Sequence, residues 1–353
     1  MSLGTATNRW YHDPPAPDAG VGGASGDPSR GQRLPLRAAT VVVEQRRVRD
    51  CEEVLTLPGV ATTLRRVPCP RPRQILVFFH GLLGDARQWE LFDCHTPPAA
   101  WADCLYLDFH FEVPRARPLT FADMVHDTTV LLRAAGRRFR PLAAAWEPFT
   151  ATPNGPRPPP VTFAGSSFGG HLALYLASRG PLRPDHLALF AAGGIPEAAR
   201  QRGLLKSYRT VDKIFDVSFE RIFSEPGVAE HPEIRDLLRT YKERIAPHRR
   251  VFMRNLLDLS RSMMSASLSH DELRRLDTRT LLVWGRRDIV TPPEVGRVFA
   301  ELLPNAHTVW VDAGHAAHIE RADVGSRALR AFCLYEDEFA HSVGGAPNTA
   351  LAG

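Results

Sequence analysis

The amino-acid sequence predicts an α/β protein built on a doubly wound, mostly parallel eight-stranded sheet with an inserted helical cap. Short, continuously apolar runs are typical of strands that are buried on both faces. Segments with helical periodicity alternate with these runs, and such alternation produces right-handed βαβ units. The stretch 196–276 breaks the alternation because it contains only helical patterns.

The candidate strands share β-branched and apolar residues and end at glycine or charged turns. In chain order they are residues 39–44, 52–57, 59–67, 74–81, 104–109, 161–165, 186–192, 279–285 and 307–314. The first three are separated by charged turns. The later ones are almost wholly apolar, which favours positions in the middle of a covered sheet.

Four helices are expected between and after the strands, at residues 120–136, 171–179, 292–303 and 326–339. Thr120 and Asp123 have the spacing of a helix cap. A proline lies near the start of the third helix, where its missing N–H costs nothing.

The domain organisation follows from these patterns and from composition. Residues 12–38 are rich in Pro, Gly, Asp and Ser, a composition that buries too little apolar surface to offset the entropy of ordering. We expect a disordered N-terminal tail at 1–38, a core at 39–195 and 277–340, the cap at 196–276, a proline-rich surface loop at 137–160 and a flexible C-terminal tail at 341–353.

Bulk properties narrow the class of protein. The chain has 353 residues and a net charge of +5, but its arginines are scattered among acids, so no nucleic-acid partner is expected. No apolar run is long enough for a transmembrane segment, and the N-terminus lacks the pattern of a secretory signal, so a cytoplasmic location is expected. The five cysteines are odd in number and widely spaced, which is typical of reduced thiols rather than a zinc site.

One short motif indicates a candidate catalytic serine. Residues 165–169 read GSSFG, a G-x-S-x-G pattern with Ser167 at its centre, between an apolar strand and a helix. A serine on such a sharp turn holds its hydroxyl clear of the sheet. Gly165 and Gly169 are expected because side chains at these positions would collide across the turn. Ser166 is a weaker candidate nucleophile because Ala164 and Phe168 flank it instead of glycines.

A serine nucleophile needs a base, and the base needs an orienting acid. Asp288 follows the strand 279–285 and His315 follows the next one, so both are expected at the same sheet edge as Ser167. The acids Asp212, Asp216 and Asp258 remain alternatives within the cap segment.

An earlier strand ends in His80 and Gly81. The backbone N–H groups of Leu82, in that loop, and of Phe168, after the serine, are the expected oxyanion donors. Gly81 is expected to permit close approach.

The chain resembles cap-bearing serine esterases and hydrolases of the α/β-hydrolase fold superfamily. Four landmarks match in order: the Phe79-His80-Gly81 turn, GSSFGG (165–170), GRRDIVTP (285–292) and GHAAHIE (314–320). The resemblance covers about residues 40–338 apart from the cap. It implies Ser167 as nucleophile, Asp288 as acid, His315 as base, and no cofactor. Many members carry an R-G-x-G run after the strand at 104–109, which is absent from DFHFEVPRARP (108–118).

Other polar residues have plainer interpretations. His318 and Asp312 lie near His315 but lack the further ligands that a metal site needs, so no metal is expected. His110 and His171 are expected at structural or pocket-edge positions, and Glu320 in a structural contact near the last helix.

Two segments of the cap could form a lipid-facing lid or a pocket wall, or could simply pack on the rest of the protein. They are residues 211–223, with six apolar residues at helical spacing, and residues 252–264, with three of the five methionines.

The expected reaction is hydrolysis of a carboxylic ester or related acyl bond through an acyl-enzyme. The expected partner is a small-molecule acyl substrate with an apolar character. Carbon–carbon hydrolysis of ring-cleavage products, thioester hydrolysis and acyl transfer use the same three side chains and stay open. A non-catalytic ligand-binding protein on this fold is the alternative from another class.

Overall fold

A computed structural model of the chain describes residues 53–138, 158–200, 215–220, 226–229 and 232–335. The expected strand at 39–44, the two expected tails and most of the proline-rich loop at 137–160 lie outside the described residues. So do residues 201–214 of the expected cap.

The described chain forms one eight-stranded sheet in the order β1-β2-β4-β3-β5-β6-β7-β8. The strands are β1 (Glu53–Leu55), β2 (Thr62–Val67), β3 (Gln74–Phe79), β4 (Ala102–Phe109), β5 (Val161–Ser166), β6 (His186–Phe190), β7 (Arg279–Gly285) and β8 (Ala306–Val311). The pairs β1·β2 and β2·β4 are antiparallel, and every other neighbouring pair is parallel. The carboxyl ends of β3 to β8 therefore share one edge of the sheet.

Helices connect the strands. They are α1 (Phe121–Arg138), α2 (Phe168–Arg179), α3 (Pro196–Arg200), α4 (Pro226–Ala229), α5 (Pro232–Ile245), α6 (Arg249–Ser265), α7 (His270–Arg274), α8 (Pro293–Leu302), α9 (Ala317–Glu320) and α10 (Ala322–Leu334). A 3₁₀ helix, Ala86–Cys94, follows β3. Residues 215–220 are also helical.

The sheet is covered on both faces, as the continuous apolar strands predict. In β3, Val77 and Phe79 join one buried cluster, whereas Leu76 and Phe78 join another. The first cluster contains residues of α1, α2 and α8, and the second contains residues of α10 and the 3₁₀ helix. This two-sided burial confirms the predicted doubly wound α/β fold.

Element boundaries differ from the expectations by a few residues. The helix expected at 171–179 begins at Phe168, because the chain turns directly from Ser167 into the helix. The helix expected at 326–339 begins at Ala322 and ends at Leu334, where Tyr335 adopts a left-handed conformation. At the start of α1, the Thr120 N–H donates to Asp123 and the Asp123 N–H donates to the Thr120 hydroxyl, as the spacing predicts.

Within 196–276 the described residues form helices and no strand. Phe215 and Phe219 are buried, and their rings contact each other in a tilted arrangement with centroids 4.9 Å apart. Phe215 also lies 6.1 Å from the ring of Phe252 on α6. These contacts favour packing over a lipid-facing role for this part of the segment. The boundaries of a separate cap stay a prediction.

Candidate active site

Ser167 lies at a strained turn between β5 and α2. Its backbone has φ 52° and ψ −112°, a conformation that costs an L-residue about 1–3 kcal/mol. The surrounding backbone holds it there: the Ser167 N–H donates to the Phe190 carbonyl, and the Ser167 carbonyl accepts from His171 and Gly193, each at 3.0 Å. The turn therefore directs the Ser167 side chain out of the sheet edge.

The flanking glycines are required by close backbone contacts. A Cβ on Gly165 would collide with the backbone of Gly169, and one on Gly169 would collide with the backbone of Phe79 and His80. At Gly81, by contrast, an added Cβ would lie 3.5 Å from the Cβ of Ser167, an ordinary contact. The loop does pass close to Ser167 at Gly81, and the expectation that glycine permits this approach stays a prediction.

His315 lies between Ser167 and Asp288. Its Nε2 is 3.0 Å from the Ser167 hydroxyl oxygen, and its Nδ1 is 2.9 Å from Oδ2 of Asp288. Glu320, which is buried, accepts the Gly314 N–H and so holds the loop that presents His315. Three side chains from three distant parts of the chain thus meet in one hydrogen-bonded row.

Asp288 is buried, and its surroundings favour the charged form. Burial alone raises the pKa of its carboxyl, but the neighbouring His315 and hydrogen bonds from Thr291 outweigh burial, so the pKa is lowered. Oδ1 accepts the N–H groups of Val290 and Thr291 at 2.8 and 2.9 Å. The Thr291 hydroxyl also lies 2.8 Å from Oδ2. Asp288 is therefore an ionised, oriented acceptor for Nδ1–H of His315.

The loop after β3 passes beside Ser167. His80 is fully buried; its Nδ1 lies 2.7 Å from the Gly81 carbonyl, and its Nε2 accepts the Phe109 N–H at 2.8 Å. Leu82 and Phe168 border the same cavity as Ser167 and His315. Phe168 is the first residue of α2, and N–H groups of a first helical turn have no partner inside the helix.

A cavity of about 270 Å³ opens beside Ser167. Its wall is mostly apolar. The apolar side chains come from the loop after β3, from α5 and α6, and from the segments that follow β7 and β8; they include Leu82, Leu83, Leu238, Tyr241, Met253, Leu256, Met263, Ile289, Val290 and Ile319. Met253 and Met263 are thus wall residues, whereas Met264 is exposed.

The polar wall of the cavity is small. Its described members are Asp85, Gln88, Ser166, Ser167, Ser218, Ser260, His315 and His318. Among the residues described, no lysine or arginine lines it. Asp85 is already engaged, because its carboxylate accepts hydrogen bonds from Arg87 and Arg244.

Ser166 and His318 belong to a separate hydrogen-bonded pair. The Ser166 hydroxyl lies 3.2 Å from Nδ1 of His318, and both residues are buried. Asp312, which lies near His315 in the sequence, pairs with Arg287 at 2.9 Å and is exposed. Within the described ranges, no group of three or more His, Cys, Asp or Glu side chains could hold a metal ion.

The carboxylate that contacts His315 is that of Asp288, and the two alternative acids that the structure describes have other partners. Asp216 pairs with Lys242 and Asp258 with Arg261, while Asp212 lies outside the described residues.

The two other histidines occupy supporting positions. His171 stacks on Phe121 at 4.5 Å, and His110 lies 3.0 Å from the Thr63 hydroxyl.

Sequence reasoning missed three supporting residues. Thr291 donates hydrogen bonds to the Asp288 carboxylate. Its position three residues after Asp288, within GRRDIVTP (285–292), could have indicated this contact. Arg244 on α5 bonds both Asp85 and Glu112, at 3.1 and 2.9 Å. Asn255 on α6 donates to the carbonyls of Phe111 and Val113. The last two hold loops that lack a recognisable motif, so no local signal could have found them.

None of the helices in the described parts of the chain has both the length and the apolar character that crossing a membrane requires.

The eight-stranded, mostly parallel sheet with helices on both faces places the chain in the α/β-hydrolase fold class. The model of the alpha/beta hydrolase family matches residues 76–327, and the chain belongs to this family.

Relatives in this family include hydrolases and esterases. The chain is 29% identical over 186 residues to the 2-hydroxymuconate semialdehyde hydrolase of Pseudomonas putida, a match that covers 50% of this chain and 63% of that protein, less than two thirds of its length. It is 27% identical over 180 residues to the pimeloyl-[acyl-carrier protein] methyl ester esterase of Chromobacterium violaceum, covering 49% of this chain and 69% of the esterase.

Among solved structures, MenH from S. aureus superimposes with a TM-score of 0.59 at 21% identity, covering 77% of this chain and 98% of MenH. At this identity the likeness supports the fold alone.

Proposed function

We propose that this protein is a serine hydrolase that cleaves a carboxylic ester, or a related acyl bond, through an acyl-enzyme intermediate. The observation that carries the proposal is the row from the Ser167 hydroxyl through His315 to Asp288, with distances of 3.0 and 2.9 Å. Serine is a weak nucleophile unless a base takes its proton, and this row supplies the base and the group that orients it.

In the first half of the reaction, the Ser167 oxygen attacks the acyl carbonyl carbon while its proton passes to Nε2 of His315. The carbonyl oxygen becomes an oxyanion, and the N–H groups of Leu82 and Phe168 are the proposed donors to it. Each such donor contributes about 10²–10³-fold in kcat in enzymes where it has been removed. Asp288 stabilises the imidazolium. Collapse of the intermediate breaks the bond to the leaving alcohol, which takes the proton from His315.

In the second half, water loses a proton to His315 and its oxygen attacks the acyl carbon of the Ser167 ester. The second tetrahedral intermediate collapses, the carboxylic acid leaves, and the proton returns to the Ser167 oxygen. An alcohol or thiol in place of water would give acyl transfer by the same steps.

The cavity supports a neutral, apolar acyl substrate. An anionic group placed among apolar walls needs a cation, and the described wall offers none. This favours a neutral ester over a ring-cleavage dienoate, which is a carboxylate. Thioesterase activity and acyl transfer use the same machinery and stay as alternatives. A non-catalytic binder on this fold remains the alternative from another class.

Labelling by a fluorophosphonate probe tests the nucleophile. Wild type should be labelled, and Ser167→Ala should lose labelling together with esterase activity, by at least about 10³-fold. Ser265→Ala, which changes an exposed serine on α6, is the matched control and should label like wild type. Folded wild type that does not label, or Ser167→Ala that still labels, contradicts the proposal.

A substrate panel tests the bond. We expect p-nitrophenyl esters with acyl chains of rising length to show increasing kcat/KM until the cavity is filled. A ring-cleavage dienoate should be turned over much more slowly than these esters. Faster turnover of the dienoate would overturn the assignment of a neutral ester.

A further inference from the structure

A buried row of polar side chains crosses the cavity wall beside Ser167 and takes no part in the proposed chemistry. The Ser166 hydroxyl lies 3.2 Å from Nδ1 of His318, and Nε2 of His318 makes a short hydrogen bond to Oε1 of Gln88. The Gln88 amide then donates to the Asp85 carbonyl at 2.9 Å. His318 and Gln88 are 230 residues apart in the chain.

The donor and acceptor of each hydrogen bond in this row follow from the contacts of the Gln88 amide. The Gln88 amide nitrogen faces a carbonyl, so its oxygen faces His318 and must accept from Nε2–H. In a neutral imidazole Nδ1 then carries no proton, so it accepts a hydrogen bond from the Ser166 hydroxyl. Burial, with a smaller contribution from the charge of His315, lowers the pKa of His318 to about 3, so the ring is neutral at neutral pH.

The row ends on the segment that contains Leu82. Residues 81–85, which we call the oxyanion loop, are tied at both sides of Leu82: His80 bonds the Gly81 carbonyl, and Gln88 bonds the Asp85 carbonyl. The side chain of Gln88 also packs closely on Gly84, because an added Cβ there would lie 2.7 Å from its amide nitrogen. The ring of His318 is itself held against Trp89, with centroids 4.8 Å apart.

We propose that His318 is a positioning residue that, through Gln88, holds the oxyanion loop in register with Ser167 and His315. Three elements meet at its ring: the nucleophile turn through Ser166, the oxyanion loop through Gln88, and its own segment, which begins at His315. A hydrogen-bond donor stabilises an oxyanion only if it is placed to within a fraction of an ångström, and a displacement of about 1 Å can cost on the order of 10²-fold in rate.

This inference rests on the proposed ester hydrolysis, and its test uses the full-length protein with an activated ester. His318→Leu keeps a buried side chain of similar size and removes the hydrogen bonds to Ser166 and Gln88. Gln88→Met removes the hydrogen bond between Gln88 and His318 by changing the other partner. We expect kcat to fall by about 10- to 100-fold in each with KM changed less than about threefold, because the oxyanion forms only in the transition state. The double variant should fall about as far as either single variant, because the two side chains act in one row.

A thionoester gives a readout that a general loss of structure would not produce. In its transition state the charge develops on sulfur, a weaker hydrogen-bond acceptor than oxygen, so its hydrolysis depends less on the oxyanion donors. His318→Leu and Gln88→Met should therefore lower the ratio of oxoester to thionoester kcat by about 5- to 30-fold. His318→Gln, which restores an N–H toward Gln88, should recover part of that ratio.

Thr162→Val is the matched control, since it removes a buried hydroxyl at the opposite end of β5 and should leave the ratio unchanged. An equal loss on both esters, an unchanged kcat, or a rise in KM alone would overturn the proposal; the last would make His318 a substrate contact. If His318→Leu does not fold, Gln88→Met tests the same row. A failure here with active, labelled wild type overturns only this inference, whereas unlabelled wild type overturns the proposed function itself.

Discussion

At Ser167 the backbone adopts angles that an L-residue seldom takes, and the surrounding turn is built to hold them. Gly165 and Gly169 are small because the backbone passes too close for any side chain. The contacts of Asp288 are also local: its carboxylate is buried, accepts the N–H groups of two nearby residues and orients His315. At the scale of single residues, one buried carboxylate therefore orients His315 beside the Ser167 hydroxyl.

Replacing Asp288 by asparagine should separate charge from shape. The amide is nearly isosteric but lacks the negative charge that orients and stabilises a protonated His315. We expect kcat for an activated ester to fall by roughly 10³–10⁴-fold, with folding retained. Asp258→Asn, at an alternative acid that pairs with Arg261 instead, should keep wild-type kcat. The assignment of the acid is wrong if Asp258→Asn has the larger effect in steady-state kinetics.

At the scale of elements, α5 and α6 are attached to the sheet by polar contacts as well as apolar ones. Arg244 of α5 bonds Asp85 in the oxyanion loop and Glu112 in the loop after β4. Burial alone raises the pKa of Glu112, but His110 and Arg244 outweigh it and the pKa is lowered, so the carboxylate is charged. One arginine thus pairs with two carboxylates from different loops.

Arg244→Met should destabilise the protein more than loss of a surface ion pair does. The substitution removes the guanidinium that bonds Glu112 at 2.9 Å and Asp85 at 3.1 Å. Because the Arg244 side chain is 40% exposed, we expect a loss of only about 1–2 kcal/mol in the free energy of unfolding by urea. Arg239→Met on the same helix, whose pair with Asp236 is exposed, should cost less than about 0.5 kcal/mol. Equal losses in the two variants would contradict this role for Arg244.

At the scale of the whole molecule, the sheet separates two apolar clusters, and the ring of His318 lies against Trp89 and Phe190 of the second. A histidine buried there in its neutral form links folding to pH. In the folded protein its pKa is about 3, whereas the ordinary value is 6.5. Between these values the unfolded chain binds a proton that the folded chain does not, so acid favours unfolding.

The sign of the effect gives a prediction for stability. The contribution of His318 is fully present above pH 6.5 and is lost as the pH falls toward about 3, at up to about 1.4 kcal/mol per pH unit. Urea unfolding of His318→Leu should therefore show a shallower decline in stability between about pH 6 and pH 4 than wild type. His95→Leu, at an exposed histidine, should keep the wild-type slope. Parallel curves for wild type and His318→Leu would disprove the linkage.

Much of the fold was predictable because its signals are local. The apolar runs of β3, β5, β6 and β7 predicted buried parallel strands, and the structure confirms them within a few residues. The G-x-S-x-G turn predicted where Ser167 lies and why Gly165 and Gly169 flank it. Helix ends were predicted less well, since the start of α2 depends on the turn at Ser167 and the end of α10 on a left-handed residue at Tyr335.

By itself the sequence determined the alternation of strands and helices, the local chemistry of the turn at Ser167, and the chain order of Ser167, Asp288 and His315. These depend on hydrophobic period and on residues a few positions apart. Only the tertiary structure decided that Gln88 contacts His318 and that Arg244 bonds both Asp85 and Glu112. It also decided which of the described residues line the cavity, and no lysine or arginine is among them. Such contacts depend on how helices and loops lie against one another across the sheet edge, and no periodicity in the chain encodes that arrangement.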